Sequence, residues 1–332
     1  MTNTTTEKTT AEFEFVERAR REATPLLIGL VGPSGAGKTK SALRLATGIQ
    51  KVRGGKLVGI DTEARRMLHY ADEFDLTYLE FKPPFSSLRY LAALKAAAEK
   101  AEGGVVIVDS MSHEHEGEGG YLEYHETELD RLAGTDWKKR ERMTFTAWIK
   151  PAQDRRRLIN SILQMNCAFV FDFRAKEKLK IVRGQEPIQL GWQAIAGEEF
   201  AFEMTVRCLL QPGANGVPDW SEEGFRNGVP KRSEIHRPLI PDGAQLSEQI
   251  GERLAQWAKG TLLGAALVAQ ARAVAEQGTA AYSAYWQTLS KPQKTELAGQ
   301  HEANKELARQ AKSRQEEPEE AEETFELADA PL

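Results

Sequence analysis

Residues 26–50 read LLIGLVGPSGAGKTKSALRLATGIQ, and the fold turns on this stretch. Residues 26–31 form an apolar run of strand length that leads into glycine, whereas 41–50 place apolar residues at helical spacing. Joining them, Gly32-Pro33-Ser34-Gly35-Ala36-Gly37-Lys38-Thr39 satisfies G-x-x-x-x-G-K-[ST] at every position. Strand patterns recur at 56–61, 76–81, 105–109 and 167–173, with helix patterns at 87–101 and 153–165 among them and a later strand pattern at 200–210. Strands alternating with helices in this way predict right-handed crossovers and an α/β fold with one mostly parallel, doubly wound sheet.

In such a loop the glycines let the backbone curl, so that its N–H groups and the N-terminus of the following helix face a phosphate chain. Lys38 adds positive charge at the β- and γ-phosphates, and the Thr39 hydroxyl enters the shell of a Mg²⁺ ion that otherwise keeps several waters. ATP and Mg²⁺ are therefore the expected cofactors, held by Gly32, Pro33, Ser34, Gly35, Ala36, Gly37, Lys38, Thr39 and Lys40. Orienting the ion calls for a second carboxylate at the end of a buried strand, and Asp109 closes VVIVD in that place. An attacking water needs a base or a positioning group, for which Asp61 and Glu63 in GIDTEARR are the candidates.

The 332 residues, 41% hydrophobic and 28% charged, suffice for one large domain and a smaller appendage. The pattern divides them into an N-terminal extension (1–24) containing a short charged helix, a core (25–258), a small helical module (261–313) and an acidic tail (314–332). No apolar run reaches the roughly eighteen residues of a membrane helix, and MTNTTTEKTTAEFEF lacks the order of a secretory signal, so a cytoplasmic protein without a membrane partner is expected. Cys167 and Cys208 sit among apolar neighbours and read as buried thiols, which argues against a disulfide frame or structural zinc. The net charge of −5 is uneven: residues 316–332 hold eight acids and no base, leaving the rest at +3. That tail has too little apolar surface to offset ordering entropy and is expected to be disordered.

GPSGAGKTKSALRLA, GIDTEARRMLHYADEFDL and VVIVDSMS resemble, in order and spacing, the RecA-like recombinase ATPases. The resemblance implies that Glu63 activates the attacking water and that Asp109 orients Mg²⁺. It also implies that VFDFRAKEK occupies the segment sensing the γ-phosphate, with Arg174 and Lys176 as its basic positions or as groups completing a neighbour's site. Asp172 departs from the pattern, standing where the recombinases carry a glutamine. A closer resemblance, over about residues 25–258, is to the phage-encoded RecA-like ATPases, a group that includes single-strand annealing proteins. DSMSHEHEGEGGYLE and the stretch from FRAKEK to GEEFAFEMTV carry it. It implies an ATPase of phage DNA recombination or repair in the host cytoplasm, binding single-stranded DNA and promoting annealing. A homo-oligomeric ring or filament is implied as well, with a single-strand binding protein or another recombination protein as a further partner.

Residues 131–157 hold nine bases against three acids, with Trp137, Phe145 and Trp148 interleaved. Two readings stay open. One is a single-strand groove in which bases stack on the aromatics while Lys138, Lys139, Arg140, Arg142, Arg155, Arg156 and Arg157 follow phosphates. The other is a solvated helix face with its tryptophans packed inward. His113-Glu114-His115-Glu116 lacks H-E-x-x-H spacing and reads as a polar loop beside the γ-phosphate. Tyr282, Tyr285 and Trp286 fit the core of a small C-terminal bundle, in which Ser290 to Gln293 has the form of a capping box. Two further functions share the phosphate loop: a small-molecule phosphotransferase with 131–157 as its lid, and a nucleotide-gated scaffold that recruits proteins through 261–332.

Overall fold

The computed structural model describes residues 21, 24–180, 186, 188–221, 224, 229–289, 293–294 and 297–316. The N-terminal extension apart from Arg21 and Thr24, residues 290–292 of the capping box and residues 317–332 of the acidic tail lie outside the described residues. The chain divides into two compact units, Met1–Lys259 and Gly260–Leu332.

The strands of the first unit are β1 (Leu27–Gly32), β2 (Leu57–Asp61), β3 (Thr77–Glu80), β4 (Val105–Asp109), β5 (Ala168–Lys180), β6 (Ile188–Ala194) and β7 (Val206–Leu209). Six of them run parallel in the order β3-β2-β4-β5-β1-β7, and β6 pairs antiparallel with the outer half of β5. The result is an α/β unit on a seven-stranded, mostly parallel sheet. β1, β2 and β4 are buried at every position, which is why their sequences are near-continuous apolar runs rather than alternations.

Helices α1 (Lys38–Arg53) and α2 (Ser87–Ala101) follow β1 and β3. Between β4 and β5 come α3 (Ser112–Glu116), α4 (Tyr121–Ala133), α5 (Trp137–Ala147) and α6 (Ile149–Leu163), and later α7 (Glu198–Glu203) and α8 (Glu248–Ala258). Phe169, Phe171 and Phe173 share one face of the sheet with Val58, Ile60, Val106 and Val108, and pack there with Tyr90, Leu91 and Leu94 of α2 and Leu158 and Ile162 of α6. Each such buried apolar side chain contributes on the order of 1.5–3 kcal/mol. The alternate residues of the same strands, Ile107, Asp109, Val170 and Asp172, therefore face the opposite side. α8 packs along α1, where Arg44 meets Glu248 at 3.0 Å.

Among the strands and helices of the first unit, the structure corrects the sequence reading in three places. The strand expected over 200–210 is a short helix, α7, followed by β7, because β1 offers pairing only from Ile28 to Val31. The polar loop expected at 113–116 is α3, with Glu114 only 1% exposed. β5 continues past Phe173 to Lys180, since its outer half is supported by β6, an antiparallel neighbour that sequence alternation did not reveal.

In the second unit, α9 (Thr261–Ala275), α10 (Thr279–Thr288) and α11 (Ala298–Glu316) meet around Ala271, Ala275, Tyr282, Leu289, Leu297 and Ala308. Trp286 stacks on His301 with ring centroids 3.5 Å apart. α11 runs to Glu316, beyond residue 313, where the helical module was expected to stop, because residues 311–316 (AKSRQE) are mostly good helix formers. Among the described residues, no helix is long and apolar enough to cross a membrane.

Candidate nucleotide site

The segment Gly32–Thr39 links the carboxyl end of β1 to the first turn of α1. Gly37 caps α1 with φ 86°, a left-handed conformation that side chains disfavour. At Gly32 a Cβ would collide with the Leu210 carbonyl, so the loop leaves the sheet only with glycine there. Lys38 Nζ donates to the carbonyls of Gly32 and Pro33, at 2.9 Å each, and so arches back over the loop. Lys40 turns outward instead, pairing with Glu73 at 2.7 Å.

The Thr39 hydroxyl donates to Asp109 Oδ2 at 2.6 Å. Asp109 is 3% exposed. Burial pushes its carboxyl up to about 6, against the Thr39 hydrogen bond, with the Glu63 charge adding to the rise and the Lys38 charge opposing it. A hydroxyl and a buried carboxylate at a helix N-terminus are hard oxygen donors of the kind Mg²⁺ takes while keeping most of its waters, so these residues fit the expected ion.

Asp61, in register with Asp109, is 1% exposed and committed to the turn beyond β2. It accepts from the N–H groups of Glu63 at 2.7 Å and Met67 at 2.9 Å. Asp61 thus positions Glu63 and is not itself placed to meet a water. The Glu63 carboxylate receives Arg174 Nε at 2.6 Å and lies 3.1 Å from Arg66. Burial alone would raise its pKa, but the Arg174 hydrogen bond and charge, then Arg66 and His113, outweigh it and hold it below the ordinary value. Arg174 is anchored through its backbone N–H to Ser112 Oγ at 2.8 Å. Lys176 is exposed two residues further along β5, so Arg174 but not Lys176 is brought to Glu63.

The segment after β4 is tied to its neighbours. The Asp109–Ser110 peptide is cis. Thr62 Oγ1 accepts from Ser110 N at 2.8 Å and lies 2.6 Å from His113 Nδ1, while Tyr90 donates to the Ser110 carbonyl at 2.9 Å. His113 stacks on Phe85, and its pKa is lowered by burial and then by Arg174. Glu114 pairs with Arg155 at 2.8 Å and accepts from Ser87 Oγ at 2.5 Å. Arg155 also reaches His115 Nδ1 at 3.0 Å and lies over the Tyr121 ring. Burial, and after it the charges of Arg155 and Lys176, push the His115 pKa down to about 4. This network was not legible in the sequence, whose only signal was the unusual His-Glu-His-Glu run. Among the described residues, no group of three or more His, Cys, Asp or Glu side chains is disposed to hold a metal ion.

The basic segment separates into different environments. Arg155 is 2% exposed in its ion pair, which removes it from any surface groove and corrects its assignment to one. Arg140 is engaged by Glu126 and Asp130. Lys138, Lys139 and Arg142 are exposed on α5, which also presents Trp137 and Phe145, 68% and 87% exposed. Trp148 stacks on His125 with centroids 3.8 Å apart. Arg156 and Arg157 line a separate open depression with Lys95, Asn160 and Gln164. No protein-family model matches the sequence, and no curated protein matches it.

Proposed function

We propose that this chain is a RecA-like P-loop ATPase that hydrolyses ATP with Mg²⁺ and acts on single-stranded DNA in phage recombination or repair, as a homo-oligomer. The observation that carries this reading is the Thr39–Asp109 hydrogen bond at the N-terminus of α1, with Lys38 arched over the same loop. Lys38 exchanges its carbonyl partners for β- and γ-phosphate oxygens. Thr39 and Asp109 hold Mg²⁺, which when bound neutralises developing charge on the phosphates. Glu63 orients the attacking water and takes its proton as the water oxygen bonds to the γ-phosphorus and the bond to the β-phosphate oxygen breaks, leaving ADP and phosphate. For this, Arg174 must leave Glu63, and the γ-phosphate is the anion that draws it away.

For the nucleic acid, the exposed pair Trp137 and Phe145 offers flat stacking surfaces beside the cations Lys138, Lys139 and Arg142. The test is phosphate release from ATP and Mg²⁺, with and without single-stranded DNA at two salt concentrations. Glu63→Gln and Lys38→Ala serve as controls. The expected result is DNA stimulation that fades with salt, a loss of at least about 100-fold in Glu63→Gln with ATP still bound, and no turnover in Lys38→Ala. Full turnover in Lys38→Ala would overturn the site. Transfer of phosphate to a small acceptor would point to a phosphotransferase, and indifference to DNA would point to a protein-recruiting scaffold.

A further inference from the structure

Asp172 is fully buried, and neither of its carboxylate oxygens has a hydrogen-bond partner. Among the described residues it is the only carboxylate stranded in this way. Its backbone is fixed: the carbonyl accepts from Met111 N at 2.8 Å and from Ser110 Oγ at 3.2 Å. In register, Asp172 stands beside Asp109 on one side and Leu30 on the other, and Asp109 stands beside Asp61. Three aspartates thus form one row across β2, β4 and β5, with strands about 4.8 Å apart. Asp61 uses its oxygens on the turn beyond β2 and Asp109 meets Thr39, whereas Asp172 has no such engagement.

Packing does not account for an aspartate here. Phe171 and Phe173 flank it in sequence, and Val170 and Leu30 are its apolar neighbours on its own face, so an aliphatic side chain would serve the core better. The charges that bear on Asp172 are Asp109, Lys38 and Glu63, all members of the candidate site. A buried carboxylate is retained where it is paired or serves a cation.

We propose that Asp172 is a second carboxylate of the cation site, acting with Asp109 and Thr39 to hold and orient the divalent ion through its water shell. The proposal rests on the nucleotide-site reading above and assigns a function to the residue that departs from the recombinase pattern. Mg²⁺ is commonly bound by one or two carboxylates with several waters retained, and groups acting on such a shell change metal affinity about 10- to 100-fold when removed.

The test titrates Mn²⁺ as the probe into full-length protein saturated with ADP, following free Mn²⁺ by electron paramagnetic resonance. Wild type, Asp172→Asn, Asp172→Ser and Asp109→Asn are compared, and ADP binding is also measured in EDTA. Asp172→Asn is expected to weaken Mn²⁺ binding at least about tenfold, to leave cation-free ADP affinity unchanged, and to raise the melting temperature of the ligand-free protein. Asp172→Ser, smaller and uncharged, is expected to weaken Mn²⁺ binding to the same degree. Wild-type Mn²⁺ affinity in both Asp172 variants, with affinity lost in Asp109→Asn, would overturn the proposal while leaving the nucleotide site standing. Failure of the wild-type protein to bind ADP with or without Mn²⁺ would overturn the nucleotide-site reading, and the proposal with it.

Discussion

Arg174 Nε donates to Glu63 Oε1 at 2.6 Å, joining the middle of β5 to the turn beyond β2 across 111 residues of sequence. The pairing holds the Glu63 carboxylate at a lowered pKa, which makes it a weaker base than an ordinary glutamate. It also raises the Arg174 pKa, so the guanidinium stays charged. As the proposed base, Glu63 would act only when its partner finds a better anion. On the proposed reading, that anion is the γ-phosphate.

Arg174→Ala is therefore expected to bind ADP within twofold of wild type but to lose at least about tenfold in ATP turnover, because the γ-phosphate contact disappears. Parallel measurements of mant-ADP affinity and steady-state phosphate release check this. A rise in turnover would mean that Arg174 restrains Glu63 without sensing nucleotide.

The Glu114–Arg155 pair is buried on both sides, at 1% and 3% side-chain exposure. Removing one partner strands the other, so Arg155→Ala and Glu114→Ala should each cost about 3–5 kcal/mol in urea unfolding. The double variant Glu114→Leu/Arg155→Met should recover most of that loss. Equal destabilisation in the double variant would show that the surrounding hydrogen bonds, not the charge pairing, carry the energy.

On α5, Trp137→Ala and Phe145→Ala should each weaken single-stranded DNA binding by about 1–3 kcal/mol, with little change in melting temperature because both rings are exposed. Lys139→Ala and Arg142→Ala should weaken binding evenly across sequences and make the logarithmic salt dependence shallower. Fluorescence anisotropy at several salt concentrations reads both effects. Unchanged affinity in all four would return α5 to the role of a solvated or protein-contacting helix.

His115 supplies a pH dependence. Its folded pKa is pushed down to about 4 from an ordinary 6.5, so the folded protein keeps the ring neutral while the unfolded chain takes up a proton. The stability associated with this residue is present above pH 6.5 and is lost progressively as pH falls toward 4. Melting temperatures measured across that window should fall less steeply in His115→Gln than in wild type. Parallel profiles would show that His115 does not titrate differently on folding.

How much of this was legible beforehand depends on the range of the interactions involved. The segment from Leu27 to Arg53 was readable because a buried strand, a glycine-bearing turn and an amphipathic helix each leave a local periodic signature. Asp109 was readable for the same reason, as the polar end of an apolar strand. The pairing of β5 with β6 was not, because residues 174–180 are mixed in polarity and their partner strand begins eight residues further along the chain, at Ile188. Arg155 read as part of a basic surface run, since sequence counts charges but cannot see that α6 turns this one toward Glu114 and its neighbours Arg156 and Arg157 to solvent.

The sequence by itself determined the phosphate-loop pattern, the alternation that builds a parallel sheet and the carboxylate closing β4, because each follows from contacts between residues close along the chain. Only the tertiary structure decided that Arg174 rests on Glu63, that Asp61 is spent on a turn, and that Asp172 lies stranded beside Asp109. Those outcomes depend on which strands become neighbours and in what register. Register is set by the packing of the whole sheet, and no short stretch of sequence encodes it.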